Sequence, residues 1–321
     1  MLTKADFNGL LKTQGTLIID GALATELETR GQDLNHALWS AKVIRDDPES
    51  ITAVHLDYFL AGANIAITAS YQASTWGLAN HFGLSEDSAL SLIKASAHLA
   101  QKARDQAYAG GVPRRRPLLV AGSVGPFGAF LADGSEYRGD YLRTVGEYQA
   151  FHRPRIQALV DAGVDLLALE TMPSLKEIEA LLLLLSTEFP KVIFWLGCTL
   201  KDADHLSDGT PLHEMLSLAC QNQSLIAVGV NCVPMVSVTG ALKVMAAYAH
   251  ASNRMAIPLL AYPNSGEQWD GVAKVWRGEA GGLALQDSVA QWRQIGAKLV
   301  GGCCRTGPCE IDEVTKVIRS A

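Results

Sequence analysis

The feature of this sequence that most limits its fold is a regular alternation of short apolar runs with amphipathic stretches. Eight apolar runs, each four to seven residues long, predict buried strands at 16–19, 65–69, 118–124, 164–169, 192–198, 225–230, 257–261 and 297–300. These runs are apolar at successive positions, which is typical of strands that are covered on both faces of a parallel sheet.

Each apolar run is followed by a stretch with helical periodicity. The predicted helices cover 48–61, 85–107, 141–162, 175–187, 212–220, 236–251, 289–295 and 311–318. Pro154 lies inside the third of them and predicts a kink or a local break there. Repeated strand–helix units indicate a parallel sheet. Eight units without a glycine-rich dinucleotide fingerprint predict an α/β fold, a single (β/α)8 TIM-type barrel domain over residues 1–321.

Composition and charge exclude several kinds of partner. The formal net charge is −6, so no broad attraction for a nucleic-acid backbone is expected. The basic run 114–116 lies between two prolines and predicts a solvated loop. No apolar run is long enough to cross a bilayer, and residues 1–15 lack the pattern of a secretion signal. We therefore expect a cytoplasmic protein without nucleic-acid or membrane partners.

A barrel fold indicates where functional side chains should lie, namely after the carboxyl ends of the strands. Six candidates occupy such positions: Asp20, Ser123, Glu170, Cys232, Cys303 and Cys304. Gly301 and Gly302 would let the backbone bend, so that the two adjacent cysteines that follow could face one point. Three thiolates around Zn²⁺ would leave one coordination position for a substrate.

The cysteines also admit a plainer interpretation. Free cysteine is among the most buried residue types and often packs as a small hydrophobic group. The spacing is not the paired pattern of structural zinc modules, and a disulfide between the adjacent Cys303 and Cys304 is disfavoured by geometry. In a reducing compartment, cysteines more often serve metal binding or catalysis than disulfides. Spacing alone leaves both interpretations open.

Several segments together resemble the homocysteine S-methyltransferases. The segment 301–305, with 229–232 upstream, is similar to the zinc signature of that family. The first βα turn, the third loop and the segment after the seventh strand are also similar, at 20–27, 122–126, 132–137 and 262–266. The resemblance extends from about residue 20 to residue 305. It is nearer to the branch that uses S-methylmethionine or S-adenosylmethionine than to the betaine-using branch, and the chain has no room for the extra domains of cobalamin-dependent methionine synthases.

The resemblance implies an enzyme with small-molecule substrates. One Zn²⁺ per chain would be held by Cys232, Cys303 and Cys304. The thiol of L-homocysteine would lose its proton at this metal and attack the methyl group of a sulfonium donor, giving methionine. The sequence leaves open which sulfonium is the donor and what the oligomeric state is.

Five further residues are candidates for substrate binding. Asp20 and Glu170 would hold the homocysteine ammonium, because a carboxylate in an apolar mouth needs a cationic partner. Ser123 would take the substrate carboxylate. In the loop 126–141, Glu136 and Tyr137 would face the sulfonium, since carboxylates and aromatic faces attract cations. The alternatives are a turn residue for Asp20 or Ser123, a structural ion pair for Glu170, and a loop that packs its own aromatic side chains.

Two other functions remain as alternatives at this point. A zinc-dependent hydrolase could use the same barrel, although its metal would favour histidine ligands over cysteine. A non-catalytic barrel could use Cys303 and Cys304 as a redox switch.

Overall fold

The structure, a computed structural model, describes residues 1–251, 257–265, 268–270, 275–277 and 284–320. Gly266, the last residue of one segment in the family resemblance, lies outside this part of the chain. Eight parallel strands form the central sheet: β1 Leu17–Ile18, β2 Ile65–Ile67, β3 Leu119–Val124, β4 Leu166–Met172, β5 Phe194–Cys198, β6 Leu225–Pro234, β7 Leu259–Asn264 and β8 Ala297–Val300.

The sheet closes into a barrel. Its strand order is β1-β8-β7-β6-β5-β4-β3-β2, and a parallel bridge between Ile19 and Ile65 joins the two ends. The Asp20 amide donates to the Ile65 carbonyl at 2.9 Å across this seam. The predicted (β/α)8 barrel is therefore confirmed.

Helices surround the sheet in the described part of the chain. They are Lys4–Gln14, Leu23–Thr29, Ser40–Asp46, Pro48–Ala61, Thr75–Phe82, Glu86–Ala109, Phe127–Leu131, Val145–Asp161, Leu175–Glu188, Leu212–Ala219, Met235–Ala251, Leu285–Ile295 and Pro308–Ser320. Two short antiparallel pairs lie outside the barrel: Leu200–Asp202 with His205–Leu206, and Gln268–Asp270 with Val275–Arg277.

All eight predicted helices are present, with shifted ends in most cases. Pro154 does not break its helix, which continues from Val145 to Asp161. This helix begins with a capping box between Thr144 and Glu147, and its buried face packs against the core, so tertiary contacts and the cap outweigh the cost of one proline.

The N-terminal helix, which the sequence did not predict, covers the amino-terminal end of the barrel. Its only buried side chain is Phe7, with no exposed surface. Phe7 packs in the core cluster inside the barrel, which includes Leu17, Leu166 and Leu299. The Leu2 amide also donates to the Asp165 carbonyl at 3.0 Å. The carboxyl-terminal end of the barrel is thereby left as the open end.

Alternate residues of the strands serve two separate parts of the core. In β4, Leu166 and Ala168 point into the barrel, whereas Leu167 and Leu169 pack against the surrounding helices. This alternation is the pattern of a closed parallel barrel, and it explains why the strands are apolar on both faces. No helix of the described chain is long and apolar enough to span a membrane.

Replacement of Phe7 tests the contribution of the N-terminal helix. We expect Phe7→Ala to lower the free energy of unfolding in urea by about 3–5 kcal/mol, because a large side chain leaves a sealed cavity. Leu142→Ala, at a side chain that is 66% exposed, should change it by less than about 0.5 kcal/mol. Equal effects of the two substitutions would show that the helix does not close the barrel.

Candidate active site

The three candidate cysteines meet at the carboxyl-terminal end of the barrel. Cys232 lies near the end of β6, and Cys303 and Cys304 follow β8. The three sulfurs lie within 4.8 Å of one another and form a group that could hold a metal ion. Cys232 and Cys303 form a disulfide in this structure, and the Sγ atoms of Cys303 and Cys304 are 4.0 Å apart. The pairing therefore links two strand ends, and the adjacent cysteines are not bonded to each other.

The backbone before the adjacent cysteines is fixed by neighbouring strands. The Gly301 amide donates to the Ala261 carbonyl at 3.0 Å, and the Cys303 amide donates to the Pro263 carbonyl at 2.7 Å. A Cβ at Gly301 would lie 2.6 Å from the Ile19 carbonyl oxygen. Neither Gly301 nor Gly302 has a positive φ. The two adjacent sulfurs do come together, and the two glycines also allow close packing, since a Cβ at Gly302 would lie 2.1 Å from the Thr306 side chain.

Asn231 connects the cysteine segment to the strand that carries Glu170. Its Oδ1 accepts from the Thr171 amide at 2.8 Å, and its Nδ2 donates to Thr171 Oγ1 at 2.9 Å. Both Thr171 and Cys232 have left-handed backbone conformations, with φ of 60° and 51°. Such conformations are costly for residues other than glycine and persist where surrounding contacts hold them. The buried amide thus supports both segments.

A cavity of about 520 Å³ opens beside the cysteines. This volume lies in the range of small-molecule sites. It is lined by all three cysteines and by four of the predicted substrate-binding residues, Asp20, Glu136, Tyr137 and Glu170.

Glu170 is 7% exposed and is held by two hydroxyl groups. Ser123 Oγ donates to its Oε1, and the Tyr262 hydroxyl lies 3.3 Å from its Oε2. Burial raises the pKa of Glu170 to about 7. Ser123 is fully buried behind this carboxylate and is not among the residues that line the cavity, so its hydroxyl positions Glu170.

Asp20 is equally enclosed. Its Oδ2 accepts from the Ile67 amide at 2.9 Å and lies 3.9 Å from Nδ1 of His55. Burial raises the pKa of Asp20 well above its ordinary value, and the nearby charge of Glu170 adds to this effect. Burial lowers the pKa of His55 to about 4, so this imidazole is neutral at neutral pH and gives Asp20 no counter-charge.

The third loop divides into two parts. Phe127, Phe130 and Tyr141 pack in an aromatic cluster with Tyr148 and Phe151, away from the cavity. Only the single turn Ser135–Tyr137, together with the preceding Ala132, reaches the cavity wall. The interpretation as a self-packing loop therefore applies to most of its aromatic side chains.

A buried carboxylate outside the cavity fixes both ends of this loop. Glu177 Oε1 accepts from the Phe127 amide at 2.6 Å, and Glu177 Oε2 accepts from the Tyr141 hydroxyl at 2.5 Å. His152 Nε2 lies 2.7 Å from the same Oε1. Between these ends, Thr199 Oγ1 donates to the Glu136 carbonyl at 3.2 Å. Glu136 therefore lies on a loop that is held at three points.

Comparison with known proteins identifies the family. The family model for homocysteine S-methyltransferase matches residues 17–318. A homocysteine S-methyltransferase of Escherichia coli is 52% identical over 94% of this chain and 95% of that protein, and the homocysteine S-methyltransferase YbgG of Bacillus subtilis is 43% identical over 97% of each. A metallated form of the Escherichia coli homocysteine methyltransferase MmuM has a TM-score of 0.86 at 48% identity, covering 97% of this chain and 99% of that one.

The chain belongs to the homocysteine S-methyltransferase family. It is therefore an enzyme, a methyltransferase, and the resemblance noted in the sequence is confirmed. A metal ion fits its cysteine group, in keeping with the metallated form of the similar structure.

Several cavity residues of this homocysteine S-methyltransferase were not predicted. They include Trp39, Gln72, Thr171 and Tyr262. Thr171 and Tyr262 lie near the carboxyl ends of β4 and β7, and that position alone was a usable signal. Trp39 belongs to the long segment between β1 and β2, where periodicity gives no indication of which side chains turn inward. His205 does not line the cavity and instead lies 2.8 Å from Asp202 in a surface hairpin.

The raised pKa of Glu170 predicts a pH effect on stability. Folded protein keeps this proton up to about pH 7, whereas an unfolded chain releases it near the ordinary value of 4.5. The contribution of protonated Glu170 to the free energy of unfolding is complete below about pH 4.5 and is lost as the pH rises through about 7. We expect urea unfolding of ligand-free enzyme to show a smaller decline over this range for Glu170→Gln than for the parent. Glu179→Gln, on an exposed side chain, should keep the parental slope; equal slopes for all three proteins would contradict the assignment.

Proposed function

We propose that the enzyme transfers a methyl group from a sulfonium donor, S-methylmethionine or S-adenosylmethionine, to the thiol of L-homocysteine, with one Zn²⁺ bound by Cys232, Cys303 and Cys304. The observation that carries the proposal is the meeting of three cysteine sulfurs beside a cavity lined by buried carboxylates. Thiolates from two strand ends suit a site that binds the soft sulfur atom of the methyl acceptor. The carboxylates suit ligands that bring positive charge.

The donor set fits zinc. Cysteine thiolates are preferred ligands of Zn²⁺, and three of them leave one position of a tetrahedral ion for a substrate. When bound, the metal would stabilise the thiolate of the acceptor, whose free pKa is roughly 8.5. Cys232 and Cys303 must be in the reduced form to serve as ligands. Cys304 lies beside them with a free thiol.

The chain's own groups position the acceptor. Asp20 and Glu170 are buried carboxylates that line the cavity, and each lacks an ion pair with a lysine or arginine in the part of the chain that is described. An ammonium group would supply the missing positive charge and the hydrogen-bond donors. Ser123 and Tyr262 hold the Glu170 carboxylate in place through their hydroxyl groups.

The reaction is an in-line displacement. The acceptor sulfur forms a bond to the methyl carbon while the bond from that carbon to the donor sulfur breaks, and the bonding pair returns to the donor sulfur. The positive charge of the sulfonium is lost, and a neutral thioether leaves. Holding two reactants in line removes much of the entropic barrier. Glu136 and Tyr137 line the side of the cavity that we assign to the donor.

A hydrolase is not favoured by this geometry. Among the described residues, the group able to hold a metal consists of cysteines, without histidine. Family membership also speaks against a non-catalytic barrel with a switch at Cys303 and Cys304.

Cysteine substitutions test the metal site. We expect parent enzyme prepared under reducing conditions to contain close to one zinc per chain by atomic emission. Three variants should each lose the metal and show a rate of methyl transfer lowered by more than about 100-fold, since bound metal supplies several kcal/mol of transition-state stabilisation. They are Cys232→Ala, Cys303→Ala and Cys304→Ala. Cys309→Ala, on an exposed thiol, is the control and should retain both. Parental activity in any one of the first three variants would refute the proposed site.

Comparison of donors tests the reaction. With homocysteine as acceptor, we expect methionine formation from S-methylmethionine or S-adenosylmethionine and at least about 100-fold lower kcat/KM with betaine, because the sequence resembles the sulfonium-using branch more than the betaine-using branch. Product formation is followed by mass spectrometry with a donor whose methyl group is deuterated. Preferential use of betaine would overturn the donor assignment and leave the acceptor assignment intact.

A further inference from the structure

One carboxylate of the cavity has no role yet beyond lying on the donor side. Glu136 is 9% exposed and lines the cavity. Its Oε2 is sealed from water and has no hydrogen-bond partner. The amide oxygen of Gln72, another residue of the cavity wall, also lacks a partner. Two residues of the cavity wall thus each carry an acceptor without a hydrogen-bond partner in the ligand-free enzyme.

The charge of Arg138 acts on Glu136, but among the described residues no lysine or arginine forms an ion pair with its carboxylate. The neighbouring Arg138 side chain is 49% exposed and pairs with Asp140 at 2.7 Å. The Gln72 amide nitrogen already donates to the Ala129 carbonyl at 3.1 Å. A buried acceptor without a donor costs free energy, and the cost is larger when the acceptor is charged. A ligand that brings hydrogen-bond donors would recover this cost.

The chemistry of the unsatisfied groups distinguishes two kinds of cation. A sulfonium carries positive charge without any N–H or O–H group, so it would leave these acceptors without a donor. An ammonium has three N–H donors. Asp20 and Glu170 are already assigned to the ammonium of homocysteine. A second ammonium in the same cavity must come from the other substrate.

We propose that Glu136 binds the α-ammonium group of the methyl donor, so that the enzyme selects sulfonium donors that are α-amino acids. This inference rests on the proposed function, since it assigns a part of the donor to a residue of the same cavity. The sulfonium centre then lies toward the cysteines and is recognised by its reaction with the acceptor sulfur. Glu136 determines specificity because it binds the amino-acid end of the methyl donor.

The test compares two donors of the same chain length. S-methyl-L-methionine has the ammonium, and (3-carboxypropyl)dimethylsulfonium lacks it. Burial raises the pKa of Glu136 to about 7. The assays are therefore run at pH 8, where this carboxylate is ionised. We expect Glu136→Gln to lower kcat/KM for S-methylmethionine by roughly 10- to 100-fold, the value of a charge-assisted hydrogen bond. The same substitution should change kcat/KM for the analogue by less than about 3-fold, and KM for homocysteine by no more.

Glu179→Gln is the matched control, because it makes the same amide substitution at an exposed carboxylate that does not line the cavity. It should leave the preference between the two donors unchanged. An equal loss with both donors in Glu136→Gln would show that Glu136 binds the sulfonium. A raised KM for homocysteine alone would place the acceptor there. Either result, or no loss with either donor, overturns the inference.

Calorimetric binding of S-methylmethionine without homocysteine separates this inference from the proposed function. If parent enzyme binds the donor but transfers no methyl group, the proposed reaction fails, and the role of Glu136 is still decided by the binding constants. We expect roughly 10- to 100-fold weaker binding in Glu136→Gln. Unchanged binding in this variant, or no binding by parent enzyme, counts against the inference.

Discussion

The closure of the parallel sheet is the constraint on which the site depends. The bridge between Ile19 and Ile65 joins the first two strands, so all eight carboxyl ends face one rim. Cys232 and Cys303 are separated by 71 residues in sequence and meet there, with Cα atoms 5.5 Å apart. Phe7 fills the opposite end of the barrel. Residues that are distant in sequence therefore share one cavity, and no flexible segment has to bring them together.

The dominant physical feature of that cavity is three buried carboxyl groups, none of which forms an ion pair with a lysine or arginine in the described chain. Asp20, Glu136 and Glu170 are all largely buried, and burial raises the pKa of each. A fold does not retain three desolvated carboxylates for its own stability, because each costs free energy when ionised. Ligands that carry positive charge repay this cost on binding. The same argument connects stability, which falls as these groups ionise, with recognition of cationic substrates.

Sequence patterns predicted the barrel well because strand burial and helix periodicity are local signals. The helix Pro48–Ala61 and the strand Ala297–Val300 have the predicted bounds. The helix Lys4–Gln14 was missed because it buries only Phe7, so its apolar stripe is too narrow to detect. For the site, strand-end position indicated the cysteines, Asp20 and Glu170. It could not show that Ser123 lies behind Glu170, since only tertiary packing decides which strand-end side chain reaches the cavity.

The position of the third loop, on the side of the cavity that we assign to the methyl donor, depends on residues that do not line the cavity. Glu177 fixes the third loop, and His152 connects Glu177 to Arg155, whose guanidinium lies 2.9 Å from His152 Nδ1. Arg155 in turn donates to the carbonyls of Tyr71 and Gly125 at 2.8 and 2.6 Å, so one buried network reaches the loops after β2 and β3. Arg155 Nε has no hydrogen-bond partner, and a buried polar network that is not fully satisfied costs free energy. The members of this network hold loops that line the cavity. We explain the presence of the network inside the helix layer by this role, because packing alone would leave the loop that carries Glu136 free to move.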